Sequence, residues 1–205
     1  MVLKMRTIGF FLFLIIAGSP SLSFGQQPLE AVQLGIEKAI RVLDDPRFQA
    51  ADQKQDQQQE LWEIMLTVFD FKEFSRRVLG PYWGKFSPPQ RDEFVRVFGE
   101  FLGKFYLGRL QDRYNKERVI YLDQQMISDS RAQVDIEVLW HNLKVPVTLR
   151  MTNRSGKWKV YDLSAMGINA VSNYRAQFKW MLSRESPQQI IGLLKDKIAK
   201  LDRKS

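Results

Sequence analysis

The sequence predicts an α+β fold, an antiparallel sheet of about four strands with N- and C-terminal helices packed on one of its faces. Three observations lead there. Apolar residues recur three and four apart up to residue 110, alternate strictly between residues 132 and 151, and return to helical spacing beyond residue 167. Helices first and last with strands between is the segregated pattern of an α+β domain, and the expected shape is an NTF2-like cone with a helical appendage.

The first segment, Met1 to Gly25, stands apart from that pattern. Lys4 and Arg6 precede an apolar run from Ile8 to Ala17, which breaks at Gly18, Ser19 and Pro20 before the small residues Ser23 and Gly25. A membrane span needs about 20 apolar residues. The shorter run reads as a cleavable secretory signal, cut after Gly25 to leave Gln26 first. Losing Lys4 and Arg6 lowers the net charge from +8 to +6. The chain has no cysteine, so an exported domain of this composition is held by its core alone.

Val32, Ile36, Ala39, Ile40 and Leu43 mark the first helix, which stops at Asp44-Asp45-Pro46. The polar run Gln53 to Gln59 is expected to be a connector. Leu61, Ile64, Met65, Val68 and Phe69 form a second, short helix. Asp70 with Glu73 caps a third, which ends at Gly80-Pro81. Ser87-Pro88-Pro89-Gln90 is a capping sequence with proline at the first helical position. It opens a fourth helix whose stripe runs through Phe94, Val97, Phe98, Phe101, Leu102, Phe105, Tyr106 and Leu110.

Ala132, Val134, Ile136, Val138 and Trp140 alternate with Gln133, Asp135 and Glu137. Val145, Val147, Leu149 and Met151 alternate with Pro146, Thr148 and Arg150. Each series is a strand with one apolar face. His141 to Leu143 can join them as a hairpin, and Asn153-Arg154-Ser155-Gly156 can turn the second into a third strand, Lys157 to Leu163. Val119 to Asp123 adds a shorter fourth strand. A helix from about Gly167 to Ser183 and a last one opened by Ser186-Pro187-Gln188-Gln189 complete the chain.

Catalytic chemistry finds little here. The lone histidine, His141, falls at a turn, so a base beside a nucleophile is missing. One histidine without cysteine does not make a zinc site. Gly99-Glu100-Phe101-Leu102-Gly103-Lys104 is one residue short of a phosphate loop, lacks the following Ser or Thr, and lies within a helix. Gly99 and Gly103 leave room either for a neighbouring helix or for a ligand. Scattered rather than clustered Lys and Arg, together with export, disfavour nucleic acid as a partner.

Two stretches carry a resemblance. One comprises Phe69-Asp70-Phe71, Leu79-Gly80-Pro81-Tyr82-Trp83, Ser87, Gln90-Arg91, Phe94, Phe98 and Tyr106. The other comprises Trp158, Tyr161-Asp162, Gly167-Ile168, Asn173-Tyr174-Arg175 and Gln177-Phe178. In order and separation they resemble the MlaC family of periplasmic phospholipid-binding proteins, also labelled toluene-tolerance or ABC-transporter auxiliary proteins. Met166 before Gly167-Ile168-Asn169 departs from the family pattern, where an acidic residue is expected. The resemblance implies one lipid-binding domain over 26–205, with helices in 26–115, a sheet in 118–164 and helices in 167–202. It implies a monomeric periplasmic shuttle, without cofactor or enzymatic activity and with phospholipid as its ligand. Its partners would be an inner-membrane MCE-domain ABC transporter complex and an outer-membrane lipoprotein complex, with only transient membrane contact.

On that resemblance, acyl chains lie in an apolar cavity between helices and sheet. Burying a methylene is worth about 0.8 kcal/mol, so roughly thirty of them make on the order of 25 kcal/mol that a carrier must shield from water. The expected walls are the stripe Phe94, Val97, Phe98, Phe101, Leu102, Phe105 and Tyr106, and the strand residues Val145, Val147, Leu149 and Met151. Phe74, Val78, Met166 and Phe178 complete the expected lining, and the rings and hydroxyls of Tyr106, Tyr161 and Tyr174 suit a mouth. Arg175 would meet the head group or pair with Asp162. On this placement, Val147→Glu or Phe98→Asp would expel lipid from a protein that still folds. The alternative is a periplasmic chaperone or scaffold binding polypeptide through the same apolar surface.

Overall fold

The computed structural model describes residues 26–203 apart from positions 49 and 142, so the segment read as a signal lies outside the described residues. The helices α1 (Pro28–Leu43), α2 (Lys54–Val68), α3 (Phe71–Leu79) and α4 (Pro88–Arg113) come first. Strands β1 (Arg118–Ser128), β2 (Arg131–Trp140), β3 (Leu143–Arg154), β4 (Lys157–Ala165) and β5 (Ile168–Asn169) follow, then α5 (Ala170–Leu182) and α6 (Pro187–Asp202). The strands lie in the sheet in chain order and every adjacent pair is antiparallel. The fold is therefore the α+β meander expected from the change of period, with a fifth, two-residue strand added.

The capping sequences act where they were read. Ser87 accepts from the Gln90 amide while Gln90 returns a bond to the Ser87 amide, and Ser186 and Gln189 repeat the arrangement at α6. Asp70 accepts from the Glu73 amide at 2.9 Å. Helix α5 starts at Ala170 rather than near Gly167. Gly167 has a positive φ of 78°, Ile168 and Asn169 pair with β4, and the Asn169 side chain caps the helix through the Ser172 amide.

Two elements differ from the sequence reading. Strand β1 spans 11 residues, not the short Val119–Asp123 segment, and register shifts after Tyr121 and Met126 break its alternation. The polar run Gln53 to Gln59 is no connector; from Lys54 on it forms the first turns of α2. Gln57 is buried there, its amide nitrogen donating to the Val42 carbonyl and its amide oxygen accepting from Gln111. A satisfied amide thus ties α1, α2 and α4 together where hydropathy alone gives no helical face.

Apolar burial divides into two clusters. Helices α3, α4, α5 and α6 build one from Phe74, Val78, Phe94, Phe98, Phe178 and Ile190 among others, with Phe86 of the α3–α4 connection. The sheet builds the second from Ala132, Val134, Ile136, Leu149, Met151, Trp158 and Val160, with Val32 of α1 laid over them. The corner between α2 and α3 joins the two. Phe69 bridges to Val160, and the Asp70 amide donates to the Val160 carbonyl at 2.8 Å.

That corner is also fixed electrostatically. Arg154 at the end of β3 reaches both Asp70 and Glu73, and Glu73 additionally accepts from Arg76 and Arg77. Burial works to raise the Glu73 pKa, but the hydrogen bonds and charges of Arg76 and Arg77 outweigh it and hold the carboxyl below its usual range. A carboxyl lowered by folding contributes stability that is complete above its unfolded value and is lost as pH falls through the folded one. Glu73→Gln is expected to cost about 1–2 kcal/mol at neutral pH, discounted for the half-exposed arginines. The difference from the wild type should vanish in acid, as urea titrations of both proteins across that range would register.

Candidate functional site

Helix α1 packs on the sheet through Val32 and Ile36, and Ile36, Ala39, Ile40 and Leu43 of its second half border an open space. The sheet answers with Val119 of β1, with Ile136, Val138 and Trp140 of β2, and with Val145 of β3. Val138 stands opposite Val119 on one side and Val145 on the other, so the three side chains share one face. Helix α4 spends its first half in the helical cluster and projects its last turns past it, bringing Tyr106, Arg109, Leu110 and Arg113 to the same space. Tyr114 and Glu117 follow at the rim. These groups surround a cavity of about 520 Å³, within the ~300–1,000 Å³ usual for small-molecule clefts.

The walls are mostly aliphatic and aromatic, and the polar lining residues Tyr106, Arg109 and Arg113 are exposed, which puts them at the mouth. The Tyr106 hydroxyl lies 3.1 Å from that of Tyr174, and burial, followed by this contact, pushes the Tyr174 pKa far up. Burial and the neighbouring Asp44 carboxylate, which accepts from the Tyr114 hydroxyl at 3.2 Å, push Tyr114 up to about 12. Both phenols stay neutral at physiological pH.

Of the residues nominated from the sequence, Tyr106 and Val145 line this cavity. Phe74, Val78, Phe94, Val97, Phe98, Leu102 and Phe178 are buried in the helical cluster, with Phe101 and Tyr174 packed against it. Leu149 and Met151 are buried in the sheet cluster and Val147 packs on it, opposite Ile136. Tyr161 is buried, with the Arg77 guanidinium 4.2 Å from its ring centre. Met166 is 69% exposed at the turn before β5. Phe105 sits between Phe101 and Tyr106. Arg175 does not pair with Asp162. It donates twice to the Arg77 carbonyl, at 2.9 and 2.7 Å, while Asp162 accepts from Asn169 and from the Val171 amide.

The glycines serve helix packing. A Cβ on Gly103 would lie 2.5 Å from the Trp62 ring of α2 and one on Gly99 3.3 Å from Phe71 of α3, so α4 approaches both helices more closely than side chains there would allow. His141 is exposed with a positive φ of 44°, as a turn residue. Among the described residues no cluster of three or more His, Asp or Glu could hold a metal ion, and no helix is long and apolar enough to cross a membrane.

Two helices standing off an antiparallel sheet around an open apolar space define an α+β cavity protein. Within that class the chain belongs to the MlaC protein family, whose model matches residues 35–196. It is 25% identical over 119 residues to the intermembrane phospholipid transport system binding protein MlaC of Haemophilus influenzae, a match spanning 56% of each protein, so the chain covers just over half the length of that relative. Its fold matches that of the phospholipid-binding protein from Ralstonia solanacearum, solved in complex with a phospholipid. The TM-score is 0.73 at 20% identity, over 86% of this chain and 99% of that one.

Proposed function

We propose that the protein carries a phospholipid through the periplasm with its acyl tails in the cavity bounded by α1, the end of α4, and β1 to β3. One observation carries this: an open space of about 520 Å³ lined mostly by aliphatic and aromatic side chains. Tails enter because each methylene removed from water contributes about 0.8 kcal/mol. The head group stays among the tyrosines and arginines of the mouth. The H. influenzae relative's name and the lipid held by the R. solanacearum protein support the same reading. In this reading the carrier is a monomer, exported by the segment 1–25. It exchanges lipid with an inner-membrane MCE-domain ABC transporter complex and an outer-membrane lipoprotein complex, touching membranes only transiently.

The test is organic extraction of natively purified protein followed by lipid mass spectrometry. Near-stoichiometric phospholipid is expected. Protein that is consistently empty, yet holds unfolded polypeptide, would favour a periplasmic chaperone using the same apolar surface.

A further inference from the structure

Two arginines stand at the mouth of the cavity without a salt bridge among the described residues. Arg109 and Arg113 are four apart near the end of α4, so they rise from the same helix face, and both border the apolar space. Unlike Lys54, which Asp112 holds, or Arg154, which Asp70 and Glu73 hold, neither has a carboxylate partner among the described residues. The nearby carboxylates are engaged elsewhere, Asp44 with the Tyr114 hydroxyl and Glu117 with the Asn115 amide. The Arg109 guanidinium lies 3.8 Å from the centre of the Phe105 ring. Stacking uses the face of the guanidinium and leaves its N–H edge free to donate.

We infer that Arg109 and Arg113 form a phosphate-binding subsite that selects lipids of net negative charge. This rests on the proposed lipid-carrying function and adds to it a head-group preference. A tail seated between Leu110 and Val138 brings the glycerol end to the mouth, where two forked donors and the hydroxyl of Tyr106 meet the phosphate oxygens. A zwitterionic head group brings its own ammonium into that cationic field and is disfavoured. A head group with no cation is not. Because the site is exposed, the preference weakens as salt rises.

The probe is uptake from vesicles of equimolar phosphatidylglycerol and phosphatidylethanolamine with matched acyl chains, read by mass spectrometry of the re-isolated protein. Wild type is expected to enrich phosphatidylglycerol about fivefold, the effect of two exposed ion pairs. Arg109→Gln with Arg113→Gln should lose the preference, the ratio of the two lipids on the protein approaching that in the vesicles. Inorganic phosphate at an ionic strength held constant with chloride distinguishes a lipid subsite from a free-phosphate site: enrichment that persists supports the former, and enrichment abolished by phosphate but not by chloride overturns it. Equal uptake of both lipids by wild type, or an unchanged preference in the double variant, also overturns the subsite while leaving the carrier reading intact. A wild type that takes up neither lipid overturns the carrier reading itself.

Discussion

Phe98→Asp is expected to unfold the protein rather than to empty it. Phe98 is fully buried, with ring centres of Phe94, Phe178 and Tyr174 at 5.3, 5.1 and 5.2 Å and Phe74 stacked at 5.8 Å. Removing such a ring costs about 3–5 kcal/mol, and a carboxylate left among four aromatic rings adds the cost of an unpaired buried charge. The total is comparable with the ~5–15 kcal/mol that holds a domain together. Circular dichroism and yield of exported protein would register it. A Phe98→Asp protein with wild-type melting and no lipid would instead return the ring to a cavity wall.

That expectation reverses the one drawn from the helical stripe alone, and the reason is physical. Periodicity says which face of a helix is apolar; it does not say what covers that face. The α4 stripe is continuous from Phe94 to Leu110, yet α3, α5 and α6 cover its first half, while its last turns pass beyond them into the cavity. On β3 the same division falls between Val145, which lines the cavity, and Leu149 and Met151, which lie in the sheet core. The α1 stripe and the β2 alternation were both legible, but the open space they border depends on how α1, the end of α4 and the sheet are set against one another. No local pattern encodes that.

The resemblance motifs are informative in a different way. Asp70 caps α3, Asp162 holds the start of α5, and Arg175 secures the Arg77 carbonyl beside Gly80, whose φ is +52°. Trp158 is core. These residues hold α3 and α5 in place and lie outside the cavity lining, which among the resemblance residues includes Tyr106. The cavity's own lining, by contrast, is ordinary Ile, Val, Leu and Ala at positions where many apolar side chains would serve. A lipid tail demands no directional contact, and residues chosen only for being apolar leave no motif.

Filling the cavity tests its role without disturbing either core. Ala39 on α1 and Val138 on β2 are half-buried and border open space from opposite walls. Tryptophan at both positions can therefore place its rings in the void rather than against packed atoms, gaining apolar burial where an ordinary core site would be overpacked. Ala39→Trp with Val138→Trp is expected to keep the melting temperature within about 4 °C of wild type. Copurifying phospholipid should fall about tenfold, roughly 1.4 kcal/mol or more of lost binding. Leu122→Trp is the matched control. Leu122 is exposed on β1 and outside the cavity lining, so the same ring added there should leave lipid content unchanged. The double variant isolates the void because the route by which Phe98→Asp loses lipid, collapse of the helical core, is closed to it. A folded, filled variant with undiminished lipid would show that the tails lie elsewhere, and a filled variant that fails to melt cooperatively would show that the two walls are packed together after all.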